Sequence, residues 1–163
     1  MIFVVLGTQK FQFDRLLKKM DELIERNEIT EKVVAQIGNS DYEPKNYEYY
    51  KLMDKEMFNK YIEDCDVLVC HGGVGTILSA LAMHKKIVAC PRLKKYKEHV
   101  DDHQKDITTA FEQKNYIFSC ENLKKLGSNI KEAKMHDFDE YKTSHTQLVG
   151  FLNDYLAHEV EAR

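Results

Sequence analysis

Apolar positions along the chain fall into short dense runs, separated by stretches with helical spacing. Residues 2–6 are apolar throughout, too dense for a strand with one wet face, and Gly7 and Thr8 end the run. Leu16, Leu17, Met20, Leu23 and Ile24 then recur as the apolar stripe of a helix. Residues 33–37 form a second β-branched run, stopped at Gly38, and 47–51 predict a weak third strand inside a tyrosine-rich polar stretch. Asp54 suits the N-cap of a helix carrying Met57, Phe58, Tyr61 and Ile62. Residues 66–70 predict another buried strand, 75–83 a helix through Ile77, Leu78, Leu81 and Ala82, and 87–90 a strand ended by Pro91. A helix over about 100–114 and a short strand at 116–118 follow. Residues 131–143 have weak periodicity and read as a loop or linker, whereas Leu148, Phe151, Leu152, Tyr155 and Leu156 predict an amphipathic C-terminal helix over 144–160.

Strands that are apolar on both faces, alternating with helices, predict an α/β fold: a doubly wound, Rossmann-like parallel sheet covered on both sides. Ligands of such sheets sit beyond the carboxyl ends of the strands, where the strand order reverses. An order of 3-2-1-4-5 brings together the loops that begin at Gly7, His71 and Pro91, which are also the loops of most unusual composition.

The length of 163 residues suits one domain spanning 1–163. A net charge of −3 argues against nucleic acid as the main partner, because phosphate backbones call for a basic face. Cys65, Cys70, Cys90 and Cys120 form no CxxC pair and read as buried thiols of a reducing compartment. The first apolar run is too short to span a bilayer and has no basic segment before it, so the protein is expected in the cytoplasm or peripheral to a membrane. Lys85, Lys86, Arg92, Lys94, Lys95 and Lys97 form one local basic cluster, either a solvated face or an attraction for an anionic membrane or a pyrophosphate-linked lipid.

The loop His71, Gly72, Gly73, Val74, Gly75, Thr76 is richest in glycine. Glycines let a backbone approach a ligand, and the helix that follows offers unpaired N–H groups and a positive dipole end, which suits a phosphate or diphosphate. It lacks the lysine of a P-loop and the spacing of a dinucleotide fingerprint, and a tight strand-to-helix turn would use the same glycines. Arg92, His99, Asp102 and Gln104 make a second polar group; a carboxylate and an amide suit sugar hydroxyls, while Asp101 and Asp102 equally suit a helix first turn. His99 and His103, four apart, would share a helix face as metal ligands do, but no third ligand is evident and no metal is expected. Gly7 and Thr8 add backbone N–H groups and a hydroxyl, or simply a turn and cap. His71 is the local candidate for a general base; the alternative is a histidine that orients the glycine loop.

These segments together resemble the glycosyltransferase family 28 C-terminal domain, with Phe3 to Thr8, Val34 to Gly38, Asp66 to Ile77 and Pro91 to Gln104 in the family's order. The likeness is nearest to small stand-alone members, of the Alg13 type or the bacterial capsular and exopolysaccharide type. It implies one half of a GT-B enzyme that binds a UDP-sugar, inverts configuration and uses no metal or other cofactor. The glycine loop with Thr76 would hold the diphosphate, Asp102 and Gln104 would face the donor sugar, and Gly7 and Thr8 would line the cleft. Relatives often carry a glutamate three residues after that threonine to hold the ribose; here the position is Ser79.

The resemblance also implies an acceptor half supplied by a separate, membrane-anchored Alg14-like partner, a lipid-linked saccharide acceptor, and activity as a heteromer. The base would then lie on the partner. The 144–160 helix suits either an interface or packing on its own domain, and isolated copies have a surface with which to self-associate. The competing reading is a non-catalytic binding or enhancer subunit of another transferase.

Overall fold

The structure, a computed structural model, describes residues 1–142; the helix expected at 144–160 lies outside the described residues. Six strands form one parallel sheet in the order β3-β2-β1-β4-β5-β6. They are Ile2–Val5 (β1), Val33–Gln36 (β2), Glu48–Tyr50 (β3), Val67–His71 (β4), Lys86–Cys90 (β5) and Phe118–Ser119 (β6). The predicted order of the first five strands is observed, and β6 adds the far edge. The α/β reading is borne out.

Side chains of β1 alternate between two cores. Ile2 and Val4 join Val67, Val69, Val88 and Cys90 on one face, under helices Asp14–Glu25 (α1) and Leu126–Met135 (α5). Phe3 and Val5 join Leu68, Cys70, Ile87 and Ala89 on the other. That face is covered by Lys55–Asp64 (α2), Val74–Ala82 (α3) and His103–Gln113 (α4), which contribute Phe58 and Tyr61, Ile77 and Leu81, and Ile107 and Phe111. Burial on both sides is why these strands lack a period-two polar pattern. Asp54 caps α2 as expected, its side chain accepting the N–H of Met57 at 2.8 Å.

Three expectations are corrected. Residues 131–143 are not one loop: α5 runs to Met135, held by Leu126, Ile130 and Ala133 in the core, a stripe too short and too interrupted by Lys131 and Glu132 to announce itself. The helix expected from about 100 begins at His103, because residues 93–102 form a loop tied down by buried side chains. The basic cluster is split by the strand between its members. Lys85 and Lys86 stand at the start of β5, where their ammonium groups bond Glu63 O and Lys134 O, while Lys94, Lys95 and Lys97 lie beyond its other end, about 17 Å away for five residues of strand.

Candidate functional site

The carboxyl ends of β1, β4 and β5 are adjacent, so the loops at Gly7, His71 and Pro91 meet as the topology requires. The junction is tight. Gly7 has φ +76°, and a Cβ there would come within 2.7 Å of His71 Nε2. A Cβ on Gly73 would come within 2.2 Å of His71 Cε1, and one on Gly72 within 2.7 Å of Gln104 Cβ. Two of the three loop glycines thus make room for the protein's own side chains. Gly75 differs: a Cβ there would meet nothing within 4 Å. It lies in the first turn of α3, whose N-cap, Gly73, supplies no side-chain cap bond and whose first turn carries no acid. The first turn of α3, with its uncapped N-terminus and positive dipole end, therefore has open space beside Gly75.

Gln104 organises the junction from below. It is buried, and its Oε1 accepts the N–H of Gly72 and that of Arg92, each at 3.0 Å. One carboxamide thus joins the loops after β4 and β5. Two donors on one atom identify it as the oxygen, so the Nε2 group, 3.3 Å from His71 Nδ1, is the donor in that contact. His71 Nδ1 is then the acceptor and the ring proton sits on Nε2, which is buried and has no hydrogen-bond partner among the described residues. Burial foremost, then the Arg92 cation and His99, hold the His71 pKa down to about 3. At neutral pH this histidine is uncharged and presents a donor towards the Gly7 loop.

Arg92 is almost wholly buried. Its NH2 donates to Leu6 O at 2.7 Å and to Phe11 O at 3.3 Å, tying the β5 loop to the β1 loop, and its charge lies over the Phe13 ring. Burial lowers its pKa to about 10, which leaves it cationic. Its Nε and NH1 groups are buried without a hydrogen-bond partner among the described residues.

Glu98, which lies within the 91–104 segment but is not among the candidate site residues, is what fixes the loop over 93–102. Its buried carboxylate accepts Arg15 Nε and NH2 at 3.0 Å and the Leu93 N–H at 3.0 Å. Arg15 carried no sequence signal, since it comes from α1, 83 residues away. Asp102 is exposed, and its Oδ1 accepts the Lys94 N–H at 2.9 Å rather than capping α4. Asp101 Oδ1 accepts the His103 N–H at 3.0 Å.

His99 precedes α4, so it does not share a helix face with His103; its ring instead stacks on Phe11, with centroids 4.8 Å apart. Both histidines lie near the Asp101 carboxylate, at 3.1 and 3.6 Å, and the His99 Nδ1 contact lacks hydrogen-bond geometry. No group of three or more potential metal ligands is found among the described residues. Thr8 is exposed beside Gly7, and Asn39 bonds the carbonyls of Thr8 and Gln9. Val74 and Thr76 are half-buried and Ser79 is exposed, all on α3. The structure thus gathers Gly7, Thr8, His71, Gly72, Gly73, Val74, Gly75, Thr76, Arg92 and Gln104 around one junction, with His99 and Asp102 on the loop beside it.

Comparison with known proteins agrees with the fold. The glycosyltransferase family 28 C-terminal domain matches residues 1–157. The UDP-N-acetylglucosamine transferase subunit ALG13 of Candida albicans is 30% identical over 98 residues, covering 59% of this chain and 30% of that protein. Among solved structures, the glycotransferase of kitacinnamycin aligns with a TM-score of 0.61 at 17% identity, over 82% of this chain and 35% of its own. SnogD from Streptomyces nogalater aligns with a TM-score of 0.52 at 20% identity, over 82% and 36%. The Acinetobacter baumannii MurG aligns with a TM-score of 0.50 at 17% identity, over 83% and 45%. At these identities the structures speak to the fold alone, that of one half of a GT-B glycosyltransferase. The chain spans less than half the length of each of these relatives.

Proposed function

The chain belongs to the glycosyltransferase family 28 C-terminal domain, and on that premise we propose that it is the donor-binding subunit of an inverting UDP-sugar glycosyltransferase. The observation that carries this reading is the open, uncapped N-terminus of α3 over Gly75, beside the His71 Nε2 donor and the Gly7 loop. Main-chain N–H groups, a helix dipole and a neutral imidazole N–H suit a diphosphate whose charge grows as the sugar departs. In this scheme they do the work of a metal cation. Thr76 contributes its hydroxyl from the first turn of α3, and Thr8 lines the cleft opposite.

Asp102 stands at the mouth of the site for the donor sugar. Gln104 acts differently from the expectation that it faces the sugar: with its oxygen committed to Gly72 and Arg92, it positions the loops and sets the His71 tautomer. A histidine whose ring proton is on Nε2 and whose pKa is held near 3 is a donor and not a base. The group that deprotonates the acceptor hydroxyl then belongs to the partner.

That partner is an Alg14-like, membrane-anchored subunit carrying the acceptor half, and the acceptor is a lipid-linked saccharide, as in polysaccharide or lipid-linked oligosaccharide synthesis. The likeness to a protein named as a transferase subunit supports a heteromer. No helix among the described residues is long and apolar enough to cross a membrane. In this proposal the chain is cytoplasmic and held at the membrane face through its partner. A second reading, a non-catalytic enhancer subunit, draws on Ser79, which cannot give ribose the two-oxygen contact of a carboxylate.

Calorimetric titration of the chain with UDP and several UDP-sugars, without metal, tests the proposal. Saturable UDP binding that weakens in Thr76→Ala is expected. No binding at millimolar UDP, alone or with the co-expressed partner, overturns the donor-site reading. Transfer by the complex that is undiminished in Gly75→Leu favours the enhancer.

A further inference from the structure

Cys90 ends β5, and Cys120 follows β6 on the neighbouring strand. Val88 pairs with Phe118 and Ala89 with Ser119, so the register carries Cys90 beside Cys120, and the Cys120 N–H donates to Ala89 O at 2.8 Å. Both side chains belong to the same core, and the Cys120 thiol donates to Asn122 O at 3.3 Å. Strand neighbours lie about 4.8 Å apart, within the range of about 4.4–6.8 Å between Cα atoms that a disulfide spans. Cys65 and Cys70 lie in the opposite core.

Cys120, only 2% exposed, is among the residues that line a pocket of about 490 Å³, open to solvent, between the 93–96 segment and the start of α5. Arg15, Lys95 and Lys125 give this pocket cationic walls, offset by Glu121, with Tyr96, Asn122 and Asn129 completing the polar lining. Cys90 does not line this pocket and is fully buried.

We propose that Cys120 is a site of thiol–disulfide exchange with small anionic disulfides that enter this pocket, and that Cys90 is its resolving thiol. The Cys120 sulfur attacks one sulfur of the incoming disulfide, forming a mixed disulfide and expelling one thiolate. Cys90 then attacks the Cys120 sulfur, forms the Cys90–Cys120 bond, and gives its proton to the second departing thiolate. Two protein thiols are oxidised and one small disulfide is reduced to two thiols. The Cys90 hydrogen bond first, then Asn129, Arg15 and Lys125, hold the Cys120 thiol below its usual pKa against the opposing effect of burial, which favours it as the attacking group. The Cys120 thiol beside it and its own burial raise the pKa of Cys90. The new bond would join the ends of β5 and β6, two residues before Arg92. This inference does not depend on the donor-site proposal.

The experiment exposes the native, reduced chain to glutathione disulfide, quenches with acid at intervals, and reads intact mass and peptide maps. A glutathione adduct on Cys120 is expected to rise and then fall as a Cys90–Cys120 link grows with loss of two hydrogens. Cys65 and Cys70 stay free. Cys90→Ser should accumulate the adduct, and Lys125→Glu should slow its formation several-fold with glutathione disulfide but not with an uncharged disulfide. An adduct confined to Cys65 or Cys70, an adduct on Cys120 that never resolves in the wild-type chain, or four thiols unreacted in the folded chain would each overturn the proposal. The rise and fall in the wild-type chain decides the matter even where a variant does not fold.

Discussion

The Gln104 carboxamide and the His71 imidazole meet at 3.3 Å, and the contact decides which ring nitrogen carries the proton. The amide has no freedom to turn over, because its oxygen already holds two buried main-chain N–H groups. A residue of α4 thereby sets the chemistry of a residue at the end of β4. In Gln104→Glu the carboxylate still accepts both N–H groups but offers His71 a negative acceptor. The ring proton should move to Nδ1 and the His71 pKa should rise by more than one unit, read from imidazole ¹⁵N shifts across a pH titration. An unchanged tautomer would refute the assignment.

Gln104→Leu removes the acceptor from two buried donors at once. The expected loss is about 2–6 kcal/mol, from about 1–3 kcal/mol for each of the two buried groups left unsatisfied. Urea unfolding followed by circular dichroism measures it, and a loss below 1 kcal/mol (roughly the worth of one ordinary hydrogen bond) would mean that water replaces the amide freely.

The pH dependence of stability follows from His71. Its folded pKa of about 3 lies below the ordinary value of 6.5, so the unfolded chain takes up a proton that the folded chain refuses. Stability should be full above about pH 6.5 and fall by about 1.4 kcal/mol per pH unit from this one group as pH drops towards 3. Chemical denaturation at a series of pH values should show this slope, and His71→Gln should reduce it by about one proton's worth.

Gly73 and Gly75 separate packing from binding. Gly73→Ala drives a methyl into the His71 ring and should destabilise the chain by about 1–3 kcal/mol. Gly75→Ala adds its methyl to open space in a helix and should leave stability unchanged or raise it by up to about 1 kcal/mol. The same methyl stands where a diphosphate would approach α3, so UDP affinity should fall although the fold is intact. Thermal melts beside UDP titrations on the two variants check both halves.

Arg15→Ala leaves the Glu98 carboxylate buried without its bidentate partner. Because Arg15 is itself partly exposed and the Leu93 N–H remains, a cost near 2–3 kcal/mol is expected, at or below the low end for a broken buried pair. The loss should concentrate in the loop over 93–102. Hydrogen exchange at the Leu93 and Lys94 amides should quicken well beyond that at β4, and uniform quickening would contradict the anchoring role.

The fold was legible in the sequence because burial on both faces leaves dense apolar runs that no other architecture of this length explains. The glycine loop and the place where three loops converge were legible for the same reason: strand ends and glycines are local facts. The roles of single residues were less so. Gln104 reads as a ligand contact in a linear motif, yet it faces inward, since nothing in its neighbours reveals which side of α4 packs on Gly72. His99 and His103 have helical spacing, but the loop pinned by Glu98 starts the helix later. α5 escaped because three buried positions among lysines make a weak stripe.

The sequence by itself determined most of the elements and the parallel sheet, and pointed to the ends of β1, β4 and β5 as the candidate site, because periodicity and chain direction act locally. Only the tertiary structure decided which polar groups are spent and which are free. The Gln104 oxygen and the Arg92 NH2 group are taken up by main-chain partners brought from distant loops, whereas the N-terminus of α3 over Gly75 remains open. A hydrogen bond needs both atoms in place, and residues 86 apart meet only when the chain has closed around them.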